Sequence, residues 1–277
     1  MKNPLKKTNV FLNKYRVGSP KGFRLADFPP DDSLKFIQKK DEDQLIQSLQ
    51  EKLAVLQALL YAEHKHKVLI VLQGMDTAGK DGVIKHVFQG INPQGVRVAA
   101  FKVPTPEEAD HDYLWRVHQK TPAKGEIVIF NRSHYEDVLV TRVHHLAPDK
   151  LIEKRYGQIH HFEKMLTEEG AIILKFFLHI SFEEQARRLR ARLDNPEKNW
   201  KFNSADLQER KFWPAYVQAY EKAISATATA WAPWYIVPSD QPKQRNFFVS
   251  LAVTAALDQL NMRYPAPEQN LKNIKIV

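Results

Sequence analysis

Continuous runs of apolar residues recur along the central part of the chain, and each has the length of one strand. The runs lie at 68–72, 96–101, 127–130, 172–178 and 235–237. Strands buried on both faces of a parallel sheet show this unbroken pattern. Stretches with helical spacing separate the runs, at 82–89, 106–119, 149–169 and 181–193. The alternation predicts an α/β fold, a doubly wound parallel sheet flanked by helices.

The part of the chain before the first apolar run has a different pattern. Between residues 41 and 63, five leucines recur at steps of three and four residues, which predicts an amphipathic helix. Residues 1–40 are rich in Lys, Pro and Asp. We expect them to form a basic irregular arm over the surface, and residues 41–277 to form one domain.

The strand pattern stops between Arg192 and Trp234. Asp194-Asn195-Pro196 reads as a turn, and a long helical stretch follows it, which Pro214 is expected to kink. This stretch is too small for a separate domain. We expect a helical lid over about residues 188–230.

Composition excludes several classes of protein. Hydrophobic residues make up 43% and charged residues 26% of the 277, and no apolar run approaches the ~20 residues that span a bilayer. The chain has no cysteine, so disulfides and thiolate metal sites are excluded. The first residues lack the apolar segment of a signal peptide, so we expect a cytoplasmic protein without membrane contact.

The net charge of +9 raises the question of a polyanion or nucleic-acid partner. Residues 1–40 hold ten Lys and Arg against three Asp, so the remaining 237 residues carry only about +2. The charge therefore fits either a solubilising tail or an arm that attracts polyanions.

The strongest chemical signal is a glycine-containing loop between the first apolar run and the next helix. Its sequence, Gly74-Met-Asp-Thr-Ala-Gly79-Lys80-Asp81, has the GxxxxGK spacing of a phosphate-binding loop. Backbone N–H groups curl around a phosphate, the helix N-terminus adds a positive dipole, and the lysine neutralises phosphoryl oxygens. We expect phosphate to be bound by Gly74, Ala78, Gly79, Lys80, Asp81 and Gly82.

Two acidic residues depart from the usual form of this loop. Asp81 stands where NTPases commonly place the Ser or Thr that holds Mg²⁺. Asp76 lies inside the loop, where a carboxylate repels phosphate unless a metal ion lies between them. Asp76 is therefore a candidate Mg²⁺ ligand or base, and the alternative is an exposed turn residue.

A second polar segment follows the apolar run at 127–130. Asn131 occupies the position where P-loop enzymes keep a metal-binding Asp, and Glu136 and Asp137 could supply the missing carboxylate. Arg132 is expected at the carboxyl edge of the sheet, where α/β proteins bind ligands. It could clamp a phosphate or form an ion pair with Glu136 or Asp137.

A third signal lies at the start of the predicted lid. Arg188 and Arg192 share one helix face by their four-residue spacing. They form either a solvated face or a pair that closes over a phosphoryl group. Trp200 and Phe202 either stack on a base or pack the hinge.

Together these three segments resemble the polyphosphate kinase 2 family. The resemblance rests on GMDTAGKDG at 74–82, FNRSHYEDV at 130–138 and RLDNPEKNWKFNSADLQER at 192–210. It covers roughly residues 35 to 265. It implies a P-loop kinase-like fold with a helical lid, and Mg²⁺-dependent transfer of phosphate between inorganic polyphosphate and nucleotides, with Mn²⁺ as a substitute metal.

The resemblance also implies roles for particular residues. It assigns Asp76, Lys80 and Arg132 to catalysis, and Asp76, Asp81 and Glu136 to the metal. Basic residues for the polymer are Lys85, Arg132, Arg188 and Arg192. It assigns nucleotide binding to Asn131, Glu136 and Asp137.

The pairing of Asn131 with Glu136 resembles the subgroup that accepts both AMP and ADP. Adenine nucleotides are the implied substrates, with guanine nucleotides in addition, and the implied assembly is a homo-oligomer, a dimer or a tetramer. Specific binding to nucleic acid is not implied.

The spacing of the motifs by itself leaves two other functions open. An ATP-dependent nucleoside monophosphate kinase shares the loop, the arginine position and a lid. A non-enzymatic polyanion or nucleic-acid binder fits the charge, but leaves Asp76 and Asp81 without a role.

Overall fold

The structure, a computed structural model, describes residues 4–19, 22–32 and 42–268. Within them one sheet contains six strands. The strands are β1 (Arg16–Val17), β2 (Lys67–Gln73), β3 (Val96–Ala100), β4 (Ile127–Asn131), β5 (Ala171–His179) and β6 (Trp234–Pro238).

The strand order in the sheet is β1-β6-β5-β2-β4-β3. β2 pairs in parallel with both β4 and β5, so that Leu72 lies beside Asn131 on one side and Phe176 on the other. β3 and β6 extend the parallel sheet, and β1 pairs with β6 in the antiparallel direction. The central strands are buried on both faces, as their unbroken apolar runs predict. The prediction of a doubly wound parallel sheet is confirmed.

Eleven α-helices accompany this sheet in the described residues. They are α1 (Pro4–Tyr15), α2 (Glu42–Glu63), α3 (Lys80–Val87), α4 (Pro106–Asp110), α5 (Trp115–His118), α6 (Val140–Val143), α7 (Asp149–Glu168), α8 (Phe182–Leu193), α9 (Ser204–Glu209), α10 (Trp213–Thr227) and α11 (Pro242–Asp258). One group of packed helices contains α1, α2, α3 and α11, and another contains α6, α7 and α10. The helix expected over 106–119 is two short helices, because the backbone is extended at His111.

The segment predicted as a lid, about residues 188–230, overlaps a helical region that spans residues 182–227. α8, α9 and α10 follow one another there, joined by 3₁₀ turns at Pro196–Lys201 and Arg210–Phe212. Pro214 was expected to kink a long helix. Instead it occupies the first turn of α10, where its missing N–H costs nothing.

The N-terminal segment is not the irregular arm expected from its composition. It forms α1 and then β1, and Leu12, Tyr15, Val17 and Leu25 are buried. The Tyr15 ring packs edge-on against Phe248 of α11, with ring centroids 5.6 Å apart. The lysines of this segment concealed an apolar face of α1 that packs against β6 and α11. Residues 1–3, 20–21 and 33–40 of the expected arm lie outside the described residues.

The parallel topology places the candidate chemistry at one edge. β2, β4 and β5 all run in the same direction, so the segments that follow them emerge side by side. These segments hold the glycine-containing loop, the Asn131–Asp137 segment and the start of α8. No helix in the described ranges is both long enough and apolar enough to cross a membrane.

The packing of Tyr15 predicts a measurable contribution to stability. We expect Tyr15→Ala to lower the free energy of unfolding by about 3–5 kcal/mol, because it removes a fully buried aromatic ring. Val10→Ala in the same helix is the control. Val10 is 72% exposed, so its loss should change stability by less than about 0.5 kcal/mol. Urea unfolding measures both, and equal stability of the two variants would contradict a docked N-terminal helix.

Candidate active site

The glycine-containing loop connects β2 to α3 in an unusual backbone conformation. Gly74, Thr77 and Gly79 all have positive φ angles, of 155°, 63° and 104°. Gly74 also lies close to β5, because a Cβ there would come within 2.9 Å of the Leu178 carbonyl oxygen. The loop therefore curls tightly against the neighbouring strand before α3 begins at Lys80. This is the strand, loop and helix arrangement that the motif predicts.

Lys80 lies across the loop. Its Nζ donates to the Gly74 carbonyl oxygen at 2.7 Å, and the Met75 carbonyl oxygen lies 3.4 Å away. Burial lowers the pKa of Lys80, and the neighbouring carboxylate of Asp76 opposes that lowering. The ammonium group is therefore held where an anion at the loop would meet it.

Arg132 stands at the end of β4 and faces the loop. Its backbone has a φ of 63°, and its Nη2 lies 3.4 Å from Oδ1 of Asp76. This ion pair differs from the two weighed from the sequence, to Glu136 and to Asp137. Burial lowers the pKa of Arg132, but the carboxylates of Glu136 and Asp76 outweigh it and hold the pKa above its ordinary value.

Two further contacts join the loop to its neighbours. Nδ2 of Asn131 donates to Oδ1 of Asp81 at 2.9 Å, which connects the end of β4 to the first turn of α3. Nε2 of Gln185 on α8 donates to the Asp76 carbonyl oxygen at 2.9 Å. Gln185 was not predicted as a site residue, because the sequence of α8, rich in Glu and Arg, does not show that this one glutamine is buried against the loop.

Two cavities open beside this cluster and share Asp76, Lys80, Arg132 and Asp206. The first has a volume of about 530 Å³ and is rich in cations. Besides the shared residues, it is lined by Thr77, Gly79, Asp81, Gly82, Ala100, Phe101, Lys102, Asn131, Arg192, Lys198 and Lys201.

The second cavity has a volume of about 410 Å³ and a different character. Aromatic and aliphatic side chains from α6 and α10 form much of its wall, with a few polar groups between them. The remaining lining residues are Gly74, Met75, Val103, Glu136, Leu139, Val140, His144, Gln185, Ala205, Glu209, Arg210, Trp213, Tyr216 and Tyr220. Burial raises the pKa of Glu136, while Arg132 and Lys80 oppose that rise.

Several predicted site residues lie away from both cavities. Asp137 turns toward α7, where Nη1 of Arg155 lies 3.5 Å from its Oδ1. Lys85 is exposed on α3 and lines neither cavity. Ala78 is buried within the loop. Arg188 lies behind the loop, while Arg192 on the same helix does line the first cavity.

Three lysines of the first cavity were not singled out from the sequence. Lys102 follows β3, and a search for basic residues just after each predicted strand would have found it. Lys198 and Lys201 lie in the 3₁₀ turn of the lid. The direction of these two side chains depends on how α8 and α9 pack, which the spacing of residues in the sequence does not show.

The carboxylates at the site fit a Mg²⁺ ion that shares its ligands with phosphate. Within the described ranges no three His, Asp or Glu side chains gather closely enough to hold a metal by themselves. Mg²⁺ commonly takes one or two carboxylates and completes its shell with phosphate oxygens and water. Asp76 and Asp81 line the first cavity and Glu136 lines the second, so each offers hard oxygen atoms beside the loop.

A buried polar network supports the Arg132–Glu136 segment from behind. Lys175 of β5 and Glu163 of α7 are both fully buried, with 2.5 Å between Nζ and Oε2. The Tyr135 hydroxyl donates to the other Glu163 oxygen at 2.7 Å, and a His134 ring nitrogen lies 3.2 Å from it. Burial lowers the pKa of Lys175, which its partner carboxylate opposes. The network fixes two residues that lie between Arg132 and Glu136.

Comparison with known proteins gives consistent results. Residues 36–265 match the family model described as Polyphosphate kinase 2 (PPK2). An AMP/ADP-polyphosphate phosphotransferase of Meiothermus ruber is 53% identical over 96% of this chain and all of its own length. An ADP-polyphosphate phosphotransferase of Rhodopseudomonas palustris is 43% identical over 92% of this chain and 93% of its own. The crystal structure of a polyphosphate kinase 2 from Arthrobacter aurescens TC1 superimposes with a TM-score of 0.90 at 41% identity, covering 94% of this chain and 93% of that one.

The buried ion pair predicts strong energetic coupling between Glu163 and Lys175. We expect Glu163→Gln or Lys175→Met alone to lower the free energy of unfolding by about 3–5 kcal/mol, because each leaves one buried charge unpaired. The double variant should lose clearly less than the sum. Glu168→Gln, which removes an exposed pair with Lys164 on the same helix, should cost no more than about 0.5 kcal/mol. Additive losses in denaturant unfolding would show that the pair is not coupled.

Proposed function

The chain belongs to the polyphosphate kinase 2 family, and on that premise we propose that it transfers the terminal phosphate of inorganic polyphosphate to nucleotides. The reactions are AMP to ADP and ADP to ATP. The observation that carries the proposal is the pair of dissimilar cavities that meet at Asp76, Lys80 and Arg132. One suits a linear polyanion and the other a nucleoside, and the phosphate-binding loop lies where they join.

The first cavity suits polyphosphate because its charge is spread along its wall. Lys80, Lys102, Arg132, Arg192, Lys198 and Lys201 supply cations from the loop, the strand ends and the lid. A chain of identical phosphates carries repeated negative charge and no base, so it needs cations at intervals rather than a shaped apolar pocket. Lysines suit such a ligand, since an ammonium acts as a point charge for one phosphate at a time.

The second cavity suits a nucleoside because it combines flat apolar walls with fixed polar groups. Trp213 and Tyr216 of α10 and the aliphatic side chains of Leu139 and Val140 provide the walls. Glu209 accepts from the Tyr216 hydroxyl at 2.8 Å, and a ring nitrogen of His144 lies 3.0 Å from the same carboxylate. Such a preformed polar cluster can hydrogen-bond a base without a further loss of side-chain conformational entropy.

The transfer itself requires position and charge more than covalent chemistry. An acceptor phosphate in the second cavity and the end of a polyphosphate in the first approach each other along a line past Lys80 and Arg132. These two cations neutralise charge on the transferring group while the acceptor oxygen attacks. Mg²⁺, when bound, adds further neutralisation and orients the phosphates. Asp76, Asp81 and Glu136 are the residues that would hold it, and Mn²⁺ is expected to substitute.

Acceptance of both nucleotides belongs to the same proposal. The printed name of the Meiothermus ruber relative includes both AMP and ADP. In this chain Glu136 lies in the acceptor cavity, and its half-buried carboxyl group has a raised pKa through burial. Guanine nucleotides are further expected acceptors, and a Corynebacterium glutamicum relative carries the name of a putative GDP-polyphosphate phosphotransferase. A cytoplasmic location and a dimeric or tetrameric assembly remain predictions.

The choice of donor is the test of this function. Purified protein given polyphosphate, Mg²⁺ and AMP should form ADP and then ATP with no ATP added, followed by chromatography of the nucleotides. Lys80→Met should reduce turnover by at least about 10²-fold, because it removes a cation aimed at the transferring group. Turnover with ATP but not with polyphosphate as the donor would replace the proposal with a nucleoside monophosphate kinase.

A second test concerns Asp76. Asp76→Asn keeps the size of the side chain and removes its charge, so we expect turnover to fall at least about 10²-fold, a barrier increase of about 2.7 kcal/mol. The Mg²⁺ concentration for half-maximal rate should rise. Thermal stability should change by less than about 0.5 kcal/mol. Asp110→Asn, an exposed residue at the end of α4, is the matched control and should match the parent chain.

Near-normal turnover of Asp76→Asn, with an unchanged Mg²⁺ dependence, would argue against a metal role for this residue. The role would then pass to Asp81 or Glu136, and the same titration on Asp81→Asn and Glu136→Gln would separate them.

A further inference from the structure

Two arginines, Arg188 and Arg245, hold the phosphate-binding loop by its backbone carbonyl groups. Nη1 of Arg188 on α8 donates to the Thr77 carbonyl oxygen at 2.9 Å and lies 3.3 Å from the Ala78 carbonyl oxygen. Nη1 of Arg245 on α11 donates to the same Ala78 oxygen at 3.1 Å. Neither arginine lines either of the two cavities described above, so both contact the loop outside those cavities.

This grip determines which way one peptide group faces. The C=O and N–H of a trans peptide point in opposite directions. Since the Ala78 carbonyl is turned toward the two guanidinium groups, the N–H of Gly79 is turned away from them. Gly79 lines the polyphosphate cavity, so its N–H is presented on the side where the anion binds. Orientation of a backbone donor before the ligand arrives is a principal source of anion affinity in such loops.

Gly79 and Gly82 are glycines partly because of Arg245. A Cβ on Gly79 would lie 2.6 Å from the Cζ of Arg245, and a Cβ on Gly82 would lie 2.9 Å from its Nη2. The guanidinium thus occupies the space that two side chains would fill. The sequence motif assigns these glycines to phosphate, and the structure adds a second reason for them on the opposite side of the loop.

The two arginines differ in how their charges are compensated. Arg188 pairs with Glu184, at 2.7 Å between Nε and Oε1. Arg245 is 3% exposed, and its hydrogen bonds go to neutral oxygens, those of Ala78 and of the Asn246 side chain. Among the described residues no carboxylate forms an ion pair with Arg245. Burial, and then Arg188, lowers the pKa of Arg245 to about 10, so it keeps its charge at neutral pH.

We propose that Arg245 is a positioning residue for the polyphosphate donor. It orients the Ala78–Gly79 peptide and places behind the loop a buried positive charge that the bound anion compensates. A buried charge without a counter-ion is costly, and an anion on the other side of the loop reduces that cost. This inference rests on the proposed function, because it assigns the loop's first cavity to polyphosphate.

The experiment compares the KM for polyphosphate with the KM for ADP. Arg245→Met should raise the polyphosphate KM at least about tenfold, the loss expected for one charge-assisted contact, and change the ADP KM less than about threefold. Arg245→Lys keeps the charge without the planar fork, so its polyphosphate KM should lie between those of the parent chain and Arg245→Met. Arg263→Met, which removes an exposed charge from the segment after α11 that lines neither cavity, should leave both values within about twofold.

Gly82→Ala is a second way to separate the Arg245 guanidinium from the loop. The added methyl group points at Nη2 of Arg245, so it should push the guanidinium away and raise the polyphosphate KM by at least about threefold. Alanine favours the first turn of α3, so this variant is expected to fold even if Arg245→Met does not.

The outcomes separate this inference from the proposed function. A parent chain with no polyphosphate-dependent turnover would refute the proposed function, whatever Arg245 does. An active parent chain with an unchanged polyphosphate KM in folded Arg245→Met would refute the inference. Equal rises in both KM values would also refute it, since they indicate a general structural role. Should Arg245→Met fail to fold, an unchanged polyphosphate KM in Gly82→Ala decides against the inference.

Discussion

The ion pair between Lys175 and Glu163 is the contact on which the arrangement of the site depends. Both side chains are fully buried, and together they join β5 to α7 beneath the segment that ends β4. Desolvating two charges costs several kcal/mol each, so the pair is tolerated because its geometry and its added hydrogen bonds are good. Tyr135 and His134 share the same carboxylate, which fixes the backbone between Arg132 and Glu136. The position of Arg132 is therefore determined in the core.

Opposed charges dominate the site itself. Asp76 pairs with Arg132 and lies near Lys80, and Arg192 lies 3.4 Å from Asp206. These contacts hold cations in place before substrate binds. A phosphate chain that enters competes with these carboxylates for the same cations. The acids that look out of place in a phosphate-binding loop thus explain how so many cations can stand close together.

The features of the fold and the site that could be predicted from the sequence are those that depend on residues close together in the chain. The strands, the loop and the order of the motifs are local patterns, so their prediction required no knowledge of tertiary packing. The sequence does not show that Asp137, in a 3₁₀ turn, pairs with Arg155 while its neighbour Glu136 lines the second cavity. Arg188 resembled a substrate clamp, yet it grips backbone carbonyls behind the loop. The N-terminal helix was concealed because its lysines outnumber the few aromatic residues that anchor it. Side-chain direction and long-range docking are fixed by tertiary contacts, which spacing does not encode.

The strand β1 closes the sheet with residues from the opposite end of the chain. The guanidinium of Arg16 donates to the Ala230 carbonyl oxygen, 214 residues further along, and the Tyr15 ring rests on α11. During synthesis on the ribosome, the α1–β1 segment has no docking surface until β6 and α11 have also been translated. The Tyr15 ring and the edge of β6 both stay exposed until they meet. Contacts of such high sequence separation form slowly. Closure of this sheet edge is therefore expected to be a late event in folding, which leaves the α1–β1 segment accessible to chaperones until β6 has been made.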